Sequence, residues 1–110
     1  MEVRSRGSYE IAGRELVAEG ADMRVQVLTL AAGQSVPWHY HSEVTDSFVC
    51  LEGEVVVETR APRVTHRLAP GERCAVGPMT AHLVRGRDGN PCKVMVIQGV
   101  GRYDFNPVGA

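Results

Sequence analysis

The chain has four histidines, at positions 39, 41, 66 and 82. His39 and His41 stand two apart. On a β-strand, alternate side chains point to the same face, so both rings can reach one ion. His82 follows 41 residues after His41, at the start of another apolar run. Neutral imidazole nitrogen is a good ligand for Fe, Mn, Ni or Zn. The chemistry on offer is therefore that of a divalent transition metal. His66 shares a face with Val64 and Leu68 and reads as a packed or surface histidine.

Such a site needs strands to hold it. The sequence has 12 Gly and 6 Pro in 110 residues, and they fall at short intervals. Between them lie runs rich in Val, Thr and Leu. That rhythm predicts an all-β sandwich or barrel, with little or no helix, since no window keeps a 3.6-residue apolar period over three turns. The expected strands are 23–30, 46–52, 54–59, 64–68, 73–76, 81–85 and 93–98, with short edge pieces near 9–11 and 15–17. Gly53 reads as a tight hairpin turn. In Ala69-Pro70-Gly71, Pro fixes φ and Gly supplies a positive one. Residues 87–91 read as a plain loop. The tail 101–110 carries Tyr103 and Phe105 and is expected to dock on the barrel.

Spacing adds a resemblance. Gly33, five residues, His39-Tyr40-His41, four residues, Asp46, six residues, Gly53 is similar to the first motif of the cupin superfamily. That motif has glutamate where this chain has Asp46. Gly71, then Gly77-Pro78-Met79, His82 and Gly86 resemble the second motif. There the proline is shifted by one, and a glycine and an asparagine are replaced. The motifs span 33–53 and 71–86. The resemblance implies one small cupin domain over 1–110, a jelly-roll barrel (double-stranded β-helix). It also implies His39, His41 and His82 as metal ligands, with Asp46 in the carboxylate position. Aspartate is one methylene shorter than glutamate, and ligand distances are specified to about ±0.2 Å. Three placements stay open. Asp46 binds directly, or it orients a ligand from behind, or Glu43 substitutes because it shares the parity of His39 and His41. When not a ligand, Glu43 is the nearest spare general base.

Parity extends the picture. If Asp46 points inward, so do Phe48 and Cys50. If His82 does, so do Thr80 and Val84. Trp38 and Tyr40 face away. Cys50, Cys74 and Cys92 read as small hydrophobes, with Cys92 exposed after its loop. Arg24, Arg73 and Arg85 are candidates for gripping a substrate carboxylate, and Met79 for rimming the pocket.

Composition excludes other classes. Lys plus Arg number 12 and Asp plus Glu 13, a net charge of −1, which gives nucleic acid no basic patch. No apolar run approaches the ~20 residues of a membrane span. No signal-peptide core opens the chain, so a cytoplasmic location is expected. Strands 54–59 and 93–98 are apolar on both faces, which predicts cover from a terminal segment or a second subunit, hence a homodimer. The expected function is a mononuclear metalloenzyme acting on a small organic molecule, by oxygenase, isomerase or lyase chemistry. The alternative is a non-catalytic module in which the metal anchors a small ligand.

Overall fold

A computed structural model describes residues 9–109. Ten strands form two five-stranded antiparallel sheets. They are β1 (Gly13–Glu19), β2 (Met23–Leu30), β3 (Ser35–Tyr40), β4 (Thr45–Glu52), β5 (Val55–Thr59), β6 (Val64–Leu68), β7 (Arg73–Val76), β8 (His82–Gly86), β9 (Cys92–Gly99) and β10 (Asn106–Pro107). One sheet runs β1-β2-β9-β4-β7 and the other β10-β3-β8-β5-β6. Among the described residues the only helical turn is a 3-10 turn at Arg87–Gly89, inside the segment expected to be a plain loop.

Alternation along the strands builds the core. In β9 every second residue is buried. Leu28, Leu30, Phe48, Val94 and Val96 of the first sheet meet Val36, Val55, Val57, Leu68 and Val84 of the second. Only β1–β2 and β5–β6 are consecutive strands that pair. The other links cross between the sheets, the winding of a double-stranded β-helix. Gly53 is a case in point. It does not close a hairpin, because β4 and β5 lie in different sheets. It turns a corner instead, at φ 71°, where an added Cβ would sit 2.7 Å from the carbonyl oxygen of Pro91. A lone glycine between two apolar runs signals either kind of turn.

β3 has a defect that matters. Pro37 and Trp38 interrupt its apolar pattern, so composition does not mark it as a strand. Val36 pairs with Val84 and His39 with His82: three steps on β3 oppose two on β8. This is a bulge, a common refuge for proline in a sheet. It puts Val36 and His39 on the same inward face although their parity differs.

Cover of the outward faces is uneven. Val56 is buried within the single chain. Met95 and Ile97 on β9 stay half-buried.

Gly53→Ala combines a strained φ with a backbone clash, so it is expected to lower stability by about 1–3 kcal/mol. Gly20→Ala, whose Cβ would meet nothing within 4 Å, should change it by less than about 0.5 kcal/mol. Urea unfolding of the two variants checks the contrast.

Candidate metal centre

Three elements deliver four side chains to one point between the sheets. The β3 bulge turns His39 inward. His41 follows just past the end of the strand. His82 opens β8 directly opposite His39. Asp46 comes from β4 in the facing sheet. All four are buried, and their possible ligand atoms lie within 4.8 Å of one another. Two ligands at ~2.0–2.2 Å from one ion are at most ~4.4 Å apart, so the set would draw in around an ion.

Each imidazole is oriented by the main chain. His39 Nδ1 lies 2.7 Å from the Pro37 carbonyl oxygen, and His82 Nδ1 lies 2.8 Å from that of Thr80. His41 Nδ1 is on the carbonyl oxygen of Asp104. A carbonyl only accepts, so every Nδ1 carries its proton and donates it. That orients each ring and turns its Nε2 toward the cluster. His41 Nε2 and His82 Nε2 both point at Asp46 Oδ2, at 2.8 and 3.0 Å. Asp46 Oδ1 is buried and has no hydrogen-bond partner. A buried orphaned carboxylate oxygen is costly. Here it sits beside three imidazoles whose remaining nitrogens converge. Those residues fit a divalent metal ion.

The electrostatics show how protons fill the site when no ion does. Burial pushes the Asp46 carboxyl up, but hydrogen bonds from His41 and His82 hold it well below the usual carboxylate range. Burial pulls His41 down, yet the bond to Asp46 and its charge, with the Asp104 carbonyl, leave it raised. His39 has no such partner. Burial first, then repulsion from His82, lowers it to about 3 against some support from the Pro37 carbonyl. It is a neutral ring ready to ligate.

The tail closes the mouth. Phe105 stacks on His39 with ring centres 4.5 Å apart, and the Tyr103 ring lies 5.3 Å from His41. Asp104 Oδ1 accepts the Ser42 amide at 2.8 Å. β10 pairs with β3 at Tyr40 and His39. Below the tail remains a cavity of about 20 Å³.

The other expected residues fall as follows. Glu43 is not brought to the cluster. β3 ends at Tyr40, so its parity does not run on, and the exposed Glu43 carboxylate takes the Arg102 amide at 3.1 Å. Thr80 lies in the loop before β8, with its hydroxyl on the Pro78 carbonyl. Cys92 is buried rather than exposed. Burial pushes its thiol and that of Cys74 up to about 11, so both are inert filler. Arg85 pairs with Glu58 at 2.9 Å. Trp38 faces away beneath the guanidinium of Arg60. Met79 is exposed with φ 62°, at the position of the replaced motif glycine. Its amide donates to the His41 carbonyl at 2.7 Å.

Sequence reasoning overlooked Gln26 and Gln98. Both are buried, in line with Leu28 and Val96. The signal was present: each is a polar residue at an inward position of an apolar strand.

Comparison with known proteins supplies a family. The cupin domain profile matches residues 26–98. No curated protein sequence matches the chain. An RmlC-like cupin protein from Desulfovibrio desulfuricans is 28% identical over 79% of this chain and 80% of its own, with a TM-score of 0.66. An uncharacterized conserved protein with a double-stranded β-helix domain from Klebsiella pneumoniae gives 0.75 at 20% identity, covering 98% of this chain and 90% of its own. KdgF from Halomonas sp. gives 0.70 at 20% identity, covering 89% and 84%.

The His39 shift has a sign that can be checked on chelator-treated protein. An unfolded chain protonates this histidine below about pH 6.5, whereas the folded ring resists until about 3. Stability should therefore fall as pH drops through that window, by up to about 1.4 kcal/mol per unit. His41, with a raised value, adds no slope there. It binds its proton in both states below about 6.5 and loses its contribution only as pH rises through its folded value. His39→Gln should flatten the urea midpoint against pH between 6.5 and 4, and an unchanged slope would refute the assignment.

Proposed function

The chain belongs to the cupin domain family, and on that premise we propose that it is a mononuclear metalloenzyme acting on a small organic molecule. The carrying observation is the proton arrangement. Three Nδ1 protons are spent on backbone carbonyls, and the Nε2 atoms gather round a carboxylate with an orphaned oxygen. His39, His41 and His82 would hold the ion through Nε2, with Asp46 completing the set. Such an ion supplies Lewis acidity or, if it is iron, oxygen activation at its open positions.

The chain's own residues do the rest. Pro37, Thr80 and Asp104 carbonyls hold the rings in one orientation. Phe48, 5.9 Å from the His82 ring, and Phe105 keep water from the ring faces. Asp46 holds a proton on His41 until the site is filled, so loading must release it.

Protein purified without an affinity tag should carry close to one equivalent of Fe, Mn, Ni or Zn by elemental mass spectrometry. His82→Ala and Asp46→Asn should bind at least about tenfold more weakly. Below the raised value of His41, apparent affinity should fall about tenfold per pH unit. A protein that stays metal-free after reconstitution with each of the four ions would end this reading.

A further inference from the structure

Facing the histidines, the first sheet presents a second polar group. Its neighbouring strands β4, β9, β2 and β1 carry Asp46, Gln98, Gln26 and Arg14 in turn at the mouth of the fold. Gln98 is the direct cross-strand partner of Asp46. Gln26 Nε2 donates to Gln98 Oε1 at 3.2 Å. Arg24 donates to the same oxygen through Nε and Nη2. Arg14 donates to Gln26 Oε1 at 3.1 Å and to the Tyr9 hydroxyl at 2.6 Å. The amide oxygens are thus consumed inside the row. The cationic member of the row, Arg14, can only donate. The cavity that His39 and His41 line is also lined by Arg14, Gln26, Gln98 and Tyr9, and Asp46 is its only carboxylate among the described residues.

Burying two glutamines under a guanidinium is a poor way to fill a core, since apolar side chains would serve without hydrogen-bond debts. It is a good way to receive a planar pair of oxygens, which the arginine fork matches. Resting on the metal-centre reading, we propose that the molecule this site takes is a small carboxylic acid. Its carboxylate lies on Arg14 beside Tyr9 and Gln26, and its other end faces His39 and His41. The free space is about 20 Å³, one or two waters' worth, so the acid enters by moving Phe105. That ring spans the two halves of the subsite: it stacks on Tyr9 at 5.7 Å and on His39 at 4.5 Å.

The test is a titration of ¹⁵N-labelled protein, metal-free and zinc-loaded, with glycolate and with uncharged ethylene glycol. The readouts are the Arg14 Nε–H resonance, assigned with Arg14→Lys, and the Phe105 ring signals. Glycolate should move both in both forms. Ethylene glycol should move neither, and Arg14→Met should weaken glycolate about ten- to a hundredfold with metal content unchanged. If zinc binds but glycolate leaves Arg14 unmoved, or ethylene glycol moves it equally, the carboxylate subsite is wrong and the metal centre stands. If none of Fe, Mn, Ni or Zn binds and glycolate still moves Arg14, the subsite stands and the metal centre falls. If no ion binds and glycolate leaves Arg14 unmoved, both fall.

Discussion

Everything at this site depends on a buried carboxylate held among three rings whose outer protons are already committed. Asp46 is 1% exposed, and a lone carboxylate there would be protonated. It stays ionised because His41 and His82 lie within 3.0 Å of one of its oxygens. Those rings cannot turn away, because each has its Nδ1 tied to the main chain. Neither the anion nor the nitrogens are tolerable in the core alone. Together they make a compact ligand set.

That set draws on the whole fold. A one-residue bulge in β3 aligns His39 with His82. The crossing of the strands between sheets brings Asp46 from the opposite wall. The left-handed backbone at Met79 lets the loop before β8 reach back to the His41 carbonyl. Below this layer the core turns fully apolar at Phe48, Val84 and Val94, which excludes water and strengthens the charges above.

Much of this was legible in the chain. Runs rich in Val, Thr and Leu between Gly and Pro marked β2, β4 and β9. His39, His41, Asp46 and His82 were legible because motif spacing is a local property and the family resemblance extends it. What was hidden depends on register. The bulge at Pro37 erases the pattern of β3. Gly53 looks alike as a hairpin and as a corner. The parity that placed Glu43 with the histidines presumes a strand that stops at Tyr40. Gln26 and Gln98 were visible as polar residues among apolar ones, but only pairing of distant strands shows that they meet.

The strand order also constrains how the chain can be assembled. β9 sits at the centre of its sheet, between β2 and β4, yet it follows β1 to β8 in chain order. Until it emerges, β2 and β4 have no common neighbour, and their apolar edges stand open. The carbonyl that orients His41 comes later still, from Asp104. Vectorial synthesis therefore cannot finish this domain piecemeal. The nascent domain must wait for β9 and the Asp104 segment, and folding then proceeds through long-range pairings that are slow to close. A cluster whose side chains converge only at that last step gives a half-made domain no preformed site for an ion.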